Sequence, residues 1–178
     1  VSVDGFGDFA SAAWGVGRGT AIEVDERVYF PHSLGIFYQA VTQFLGFPNY
    51  GDEYKVMGLA PYGQPSYIDA MRKIVALEEG GGFRLNLDCF RHHREKIEYE
   101  WDNGAPVVGP LHSPELADLL GPPRRSTEPL KQRHKDRMLR AVTPRETTND
   151  RPHHRLVGPQ PAAGPVRHRF RRRGRALR

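Results

Sequence analysis

The chain has 178 residues, 38% of them hydrophobic, with 26 Lys+Arg against 21 Asp+Glu and a formal net charge of +5. That length suits one domain, or one domain with an extension. The single cysteine, Cys89, excludes an internal disulfide and a cysteine-built zinc site, and no run of about 18 apolar residues predicts a membrane-spanning helix.

Residues 1–30 predict a three-strand meander. Val1 and Val3 alternate into the turn Asp4-Gly5-Phe6-Gly7-Asp8, and Ala10, Ala12 and Trp14 continue a second strand. Gly15, Gly17 and Gly19 are expected to loosen or bulge its end. Ala21–Val24 and Val28–Phe30 bracket Asp25-Glu26, which reads as a hairpin turn, and Pro31 ends the sheet. A helix follows, with Ser33 as its N-cap and with Phe37, Val41, Phe44 and Leu45 on one face. Gly46 and Pro48 stop it.

The stretch DEYKVMGLAPYG (residues 52–63) reads as a loop or short helix. A second amphipathic helix is expected over 65–79, with Ile68, Met71, Ile74 and Val75 as its stripe and Gly80–Gly82 as its stop. FRLNLDCF reads as a strand, and SPELADLL as a short helix with Ser113 as cap and Pro114 in the first turn. No internal repeat is visible. The chain opens on Val1 in what reads as the interior of a strand, with no charged-then-apolar leader, so the natural chain is expected to begin upstream and to act in a reducing, cytoplasmic setting.

The charge is unevenly spread. Residues 1–136 hold 14 Lys+Arg against 19 Asp+Glu, whereas residues 137–178 hold 12 arginines, no lysine and 2 acids. With one aromatic and five prolines, the segment 137–178 has too little apolar surface to offset ordering entropy, so a disordered Arg/Pro-rich tail is expected there. Arginine without lysine, beside Pro, Ala, Gly and His, is what GC-rich codons give when read out of frame. A frame-shifted tail is therefore the expected reading, ahead of a solvated linker or a nucleic-acid arm. The acidic balance of 1–136 speaks against nucleic acid as a partner.

Four motifs carry chemistry. Asp4 and Asp8 place two carboxylates on a glycine turn, where Gly5 and Gly7 let backbone N–H groups approach a phosphate or carbonyl oxygen, and where a carboxylate can take a proton from a hydroxyl; an ordinary hairpin with solvated acids is the alternative. His32 precedes a helix start, a position that suits ligand orientation as well as a simple boundary. His92 and His93 are adjacent, and on a strand they would face opposite ways and not share an ion. In DEYKVMGLAPYG, Lys55 can set a cation against a phosphate or acyl oxygen, Tyr54 flanks it, and Gly58 permits close approach.

Together DGFGD, GVGRG, FPHSLGIFYQAVTQFLGF and DEYKVMGLAPYG resemble the O-carbamoyltransferases of the nodulation-protein-U and cephamycin type over about residues 1–136. The resemblance implies an α/β architecture, part of an actin-like domain related to threonylcarbamoyl transferases. It implies carbamoyl transfer from carbamoyl phosphate, by way of ATP and a carbamoyl adenylate made in a second, YrdC-like domain, to a hydroxyl of a small acceptor such as a sugar or antibiotic precursor. It assigns Asp4, Asp8 and Lys55 to catalysis and Gly5, Gly7, His32, Tyr54 and Gly58 to the substrate or nucleotide. It also implies an iron-type ion, but the family's paired metal-binding histidines and its downstream aspartate have no counterpart in this chain. A catalytically incomplete, marginally stable fragment is expected, with a non-catalytic nucleotide- or carbohydrate-binding module as the alternative.

Overall fold

The first thirty residues form the expected meander. In the computed structural model, which describes residues 1–142 except Asn103, β1 (Ser2–Val3), β2 (Ala10–Arg18) and β3 (Ala21–Tyr29) make one antiparallel sheet with β2 in the middle. The expected turn at Asp25-Glu26 is not made. β3 runs unbroken through both acids, and the reversal lies at Gly19-Thr20, between the paired residues Arg18 and Ala21. A two-residue hairpin needs positive φ, and Gly19 supplies it at +60°. The expected bulge is present between Trp14 and Gly15, where a Cβ on Gly15 would lie 2.0 Å from the Glu23 carbonyl oxygen.

Helix α1 (Leu34–Phe44) starts as expected, with Ser33 Oγ accepting the Ile36 N–H at 3.2 Å. Phe37, Ala40, Val41, Phe44 and Leu45 are buried. Gly46, at φ +78°, turns the chain away. The next stretch forms α2 (Glu53–Leu59) and a 3-10 turn, Ala60–Tyr62.

The second amphipathic helix is shorter than expected. α3 ends at Ile74 (Ile68–Ile74), and Val75 opens β4 (Val75–Leu77), which pairs with β5 (Phe83–Leu85). A short apolar run such as Ile74–Leu77 fits a helix stripe and a strand equally, and the glycines decided. Gly80 and Gly81 adopt φ of +87° and +98° and reverse the chain, so they make a hairpin instead of a helix stop. FRLNLDCF is a strand only to Leu85, because Asn86 accepts the Asp88 N–H and winds Leu87–Cys89 into a 3-10 turn.

A second hairpin, β6 (Tyr99–Asp102) with β7 (Ala105–Val108), went unpredicted. Its Asn103-Gly104 dipeptide is a strong short-range hairpin signal. Helix α4 (Glu115–Leu120) lacks the expected serine cap, since the Ser113 hydroxyl donates to the Asp88 carbonyl at 2.5 Å instead.

Helix α5 (Gln132–Val142) crosses the boundary expected after Asp136. Arg137 is 2% exposed, and Met138 and Ala141 are buried. The arginine is not a solvated charge. Its guanidinium lies over the rings of Phe44 and Tyr67, at 5.8 and 5.4 Å, and Nη1 donates to the Pro122 carbonyl. Arginine is suited to such stacked, partly desolvated sites. The rest of the expected tail, residues 143–178, lies outside the described residues. The described residues fall in one compact unit, Val1–Glu146. Among them no helix is long and apolar enough to cross a membrane.

Cys89 sits in the core, where burial, and then the charges of Asp88 and Glu115, push its thiol up to about 11. The thiolate is the reactive form. Alkylation by iodoacetamide at pH 8 is expected to run at least ~100-fold slower in the native chain than in urea; a native rate within tenfold of the denatured one would show that Cys89 is not held in this core.

Candidate functional site

The DGFGD turn is held by backbone contacts to α1. The Ser33 hydroxyl faces the carbonyls of Gly5 at 2.7 Å and Asp4 at 3.2 Å while also capping its own helix. Gly35 lies so close that a Cβ there would come within 2.7 Å of Gly5 Cα. Asp4 Oδ1 accepts the N–H of Gly5 at 2.5 Å, and Asp4 N–H pairs with the Ser11 carbonyl at 2.8 Å.

Beyond Gly5 the backbone enters the left-handed region for three residues in succession: Gly7 at φ +55°, Asp8 at +51° and Phe9 at +75°. Ala10 N–H closes this turn on the Gly7 carbonyl at 3.1 Å. Glycine is required at position 7, where a Cβ would lie 2.4 Å from the Ala10 carbonyl oxygen. For Asp8 and Phe9 the conformation costs on the order of 1–3 kcal/mol each. Both side chains are exposed. Among the described residues no acceptor engages the N–H groups of Gly7, Asp8 or Phe9. The result is an exposed, strained turn bearing carboxylates at each end and free N–H donors between them.

DEYKVMGLAPYG divides into two faces. Val56 and Ala60 are buried. Gly63 packs against α5, where a Cβ would lie 2.3 Å from the Lys135 carbonyl oxygen and 2.8 Å from Leu139 Cβ. Tyr54, Met57 and Tyr62 point outward and are more than half exposed. Gly58 is exposed, with nothing within 4 Å of the place its Cβ would take. Packing therefore explains Val56, Ala60 and Gly63 but leaves Tyr54, Met57, Gly58 and Tyr62 unexplained.

Lys55 is committed elsewhere. Its ammonium lies 2.6 Å from Asp52 Oδ1 and over the rings of Tyr54 and Phe47. The hydrogen bond to Asp52 holds its pKa above the ordinary lysine value. Met57, not Lys55, joins Val3, Leu34 and Gly35 in lining a cleft of about 300 Å³ beside the turn. Residues two apart on a helix point roughly 200° apart, so Lys55 lies on the other side of α2 from that cleft. The structure does not pair the lysine with Asp4 or Asp8.

His32 is likewise occupied. Its Nδ1 accepts the Leu85 N–H at 3.2 Å, and its carbonyl accepts the Ser11 hydroxyl. It ties the β4–β5 hairpin to the meander. His92 and His93 lie in a turn, not on a strand, so the expectation that they face apart fails; their rings touch at 5.7 Å. Among the described residues no group of three or more His, Cys, Asp or Glu is placed to hold a metal ion.

Comparison with known proteins points in one direction. The family described as "Carbamoyltransferase N-terminus" matches residues 1–101. The chain is 38% identical over 136 residues to the uncharacterized protein sll1178 of Synechocystis sp., covering 75% of this chain and 20% of that protein. It is 46% identical over 90 residues to nodulation protein NolO of Bradyrhizobium diazoefficiens, covering 49% of this chain and 16% of that one. Against nodulation protein NolNO of Sinorhizobium fredii the identity is 45% over 91 residues, covering 49% and 13%. The chain thus spans a fifth or less of the length of these relatives.

Proposed function

We propose, from the premise that this chain belongs to the carbamoyltransferase family by its N-terminal module, that it supplies one wall of a site carrying a carbamoyl group to a hydroxyl of a small acceptor, such as a sugar or an antibiotic precursor. The donor would be carbamoyl adenylate, formed from carbamoyl phosphate and ATP in a further, YrdC-like domain. The meander followed by α1 would be part of an actin-like domain.

The observation that carries this reading is the exposed DGFGD turn. Strain of this kind persists only where the surroundings over-determine it, and it gathers at functional sites. Free N–H donors of Gly7, Asp8 and Phe9 suit a phosphate or carbamoyl oxygen. The acceptor oxygen would bond to the carbamoyl carbon as the bond to the adenylate phosphate oxygen breaks. The hydroxyl proton would pass to Asp4 or Asp8 as general base. Tyr54 and Gly58, on the outward face of α2, would border the bound substrate. The iron-type ion has no ligand set among the described residues, and no step is routed through it.

The test belongs in a full-length relative assayed with labelled carbamoyl phosphate. Replacing the aspartates that match Asp4 and Asp8 by asparagine is expected to lower turnover by about 10²–10⁴-fold, the usual weight of a general base. Full turnover in both variants would end the assignment. Lys55→Met is the contrasting arm. With its ammonium paired to Asp52, its loss should act on stability first, and a turnover defect in a stably folded variant would return the lysine to the chemistry.

A further inference from the structure

Six aromatic rings run in an unbroken series from the turn to the core. Phe9 meets Phe6 at 4.9 Å, Phe6 meets Phe30 at 5.2 Å, and Phe30 meets His92 at 5.4 Å. His92 meets Phe90 at 5.8 Å, and Phe90 meets Phe37 at 6.5 Å. His92 is the one ionisable ring in this series. Its Nε2 also lies 2.9 Å from the Pro31 carbonyl. A carbonyl only accepts, so Nε2 carries the proton and the neutral ring leaves Nδ1 bare. That Nδ1 is buried and has no partner among the described residues.

Segment 30–32, which His92 grips, is what holds the strained end of the turn. Phe30 N–H donates to the Phe9 carbonyl at 2.8 Å, and Ser11, at the start of β2, donates to the His32 carbonyl. We infer that His92 is a positioning residue for the DGFGD turn, and that protonating its Nδ1 releases segment 30–32 and with it the turn. A second proton would place a charged N–H where nothing accepts it, and the ring must move to find water.

The surrounding charges act in the same sense. Burial lowers the pKa of His92 most; the Pro31 bond opposes this, and the nearby His93 and His32 lower it further. His93 is itself lowered by burial and by Arg94 against Asp88, and His32 by burial and Arg84 against Glu78. Arg91, in the same turn, is neutralised by Glu95 at 2.5 Å. The neutral ring belongs to the latched state. The latch is therefore fully present above the ordinary histidine pKa and is lost as pH falls through the lowered one. It acts on the turn whatever the turn binds.

The test is an NMR titration of the full chain from pH 8 to pH 5, following the His92 imidazole and the amides of Gly5 and Gly7. The glycine amides are expected to shift with the His92 midpoint, below the ordinary histidine value of about 6.5. His92→Gln keeps an N–H donor for Pro31 without a titrating charge. It should keep a cooperative melt and abolish the glycine titration in this range. His93→Gln removes a neighbouring positive charge, so the His92 and glycine midpoints should rise together. Flat glycine amides in the native chain, an unchanged titration in a folded His92→Gln, or midpoints that part company in His93→Gln would each overturn the inference. If His92→Gln does not fold, the other two observations decide.

Discussion

Phe44→Ala is expected to lower the unfolding free energy by about 3–5 kcal/mol, the usual cost of truncating a buried phenylalanine. Phe44 is 1% exposed. Its ring meets the edge of His112 at 5.3 Å and supports the Arg137 guanidinium at 5.8 Å. Its carbonyl accepts the Arg124 N–H at 3.0 Å. One residue of α1 thus binds both the segment before α5 and α5 itself. Since domains are stable by only about 5–15 kcal/mol, the loss removes a large share of the total and should lower the urea midpoint clearly. Phe44→Leu refills most of the volume and should cost under about 1.5 kcal/mol. Circular dichroism in urea distinguishes the two. A cost below 1 kcal/mol for the alanine variant would mean that α5 does not rest on α1, and that the chain beyond Asp136 is no part of the core.

Gly63→Val is expected to cost about 3 kcal/mol, at the upper end for an overpacked site. The backbone there is not the obstacle, since φ is −84° and ψ is 164°, which any residue adopts. The obstacle is α5: backbone atoms of Lys135 lie 2.3 and 2.8 Å from the new Cβ. A helix backbone cannot yield locally, so the whole helix must move and disturb the bonds from Asp136 to the Gln64 N–H and from Gln132 to the Tyr62 carbonyl. Gly58→Ala, five residues earlier, meets nothing within 4 Å and lies in α2. It should stabilise the chain by about 0.5–1 kcal/mol. Paired thermal melts test the contrast. Equal effects at the two glycines would show that Gly63 does not touch α5.

These two glycines mark the limits of reading the site from sequence. Both stand in one motif, and nothing in the sequence tells their surroundings apart. Only the fold separates Gly63, pressed on a helix seventy residues away, from Gly58, open to solvent. Lys55 is a similar case. Its charge and place beside an apolar run suggested a phosphate or acyl partner, but Asp52, three residues back, lies at ion-pair distance on the same helical turn. The i,i+3 spacing of Asp52 and Lys55 was the available signal. Asn103-Gly104 was the signal for the missed hairpin.

Local pattern by itself determined the meander, the Ser33-capped α1 with its buried face, the bulge at Gly15 and the family. Each rests on neighbours within a few residues: alternation, capping, glycine freedom, or a motif read as text. Tertiary structure alone decided that Arg137 is a core residue. It also decided that His32 Nδ1 meets the Leu85 N–H and that His92 Nε2 meets the Pro31 carbonyl. In each case the deciding partner lies far along the chain, and a residue's type does not disclose which distant carbonyl, ring or helix will meet it.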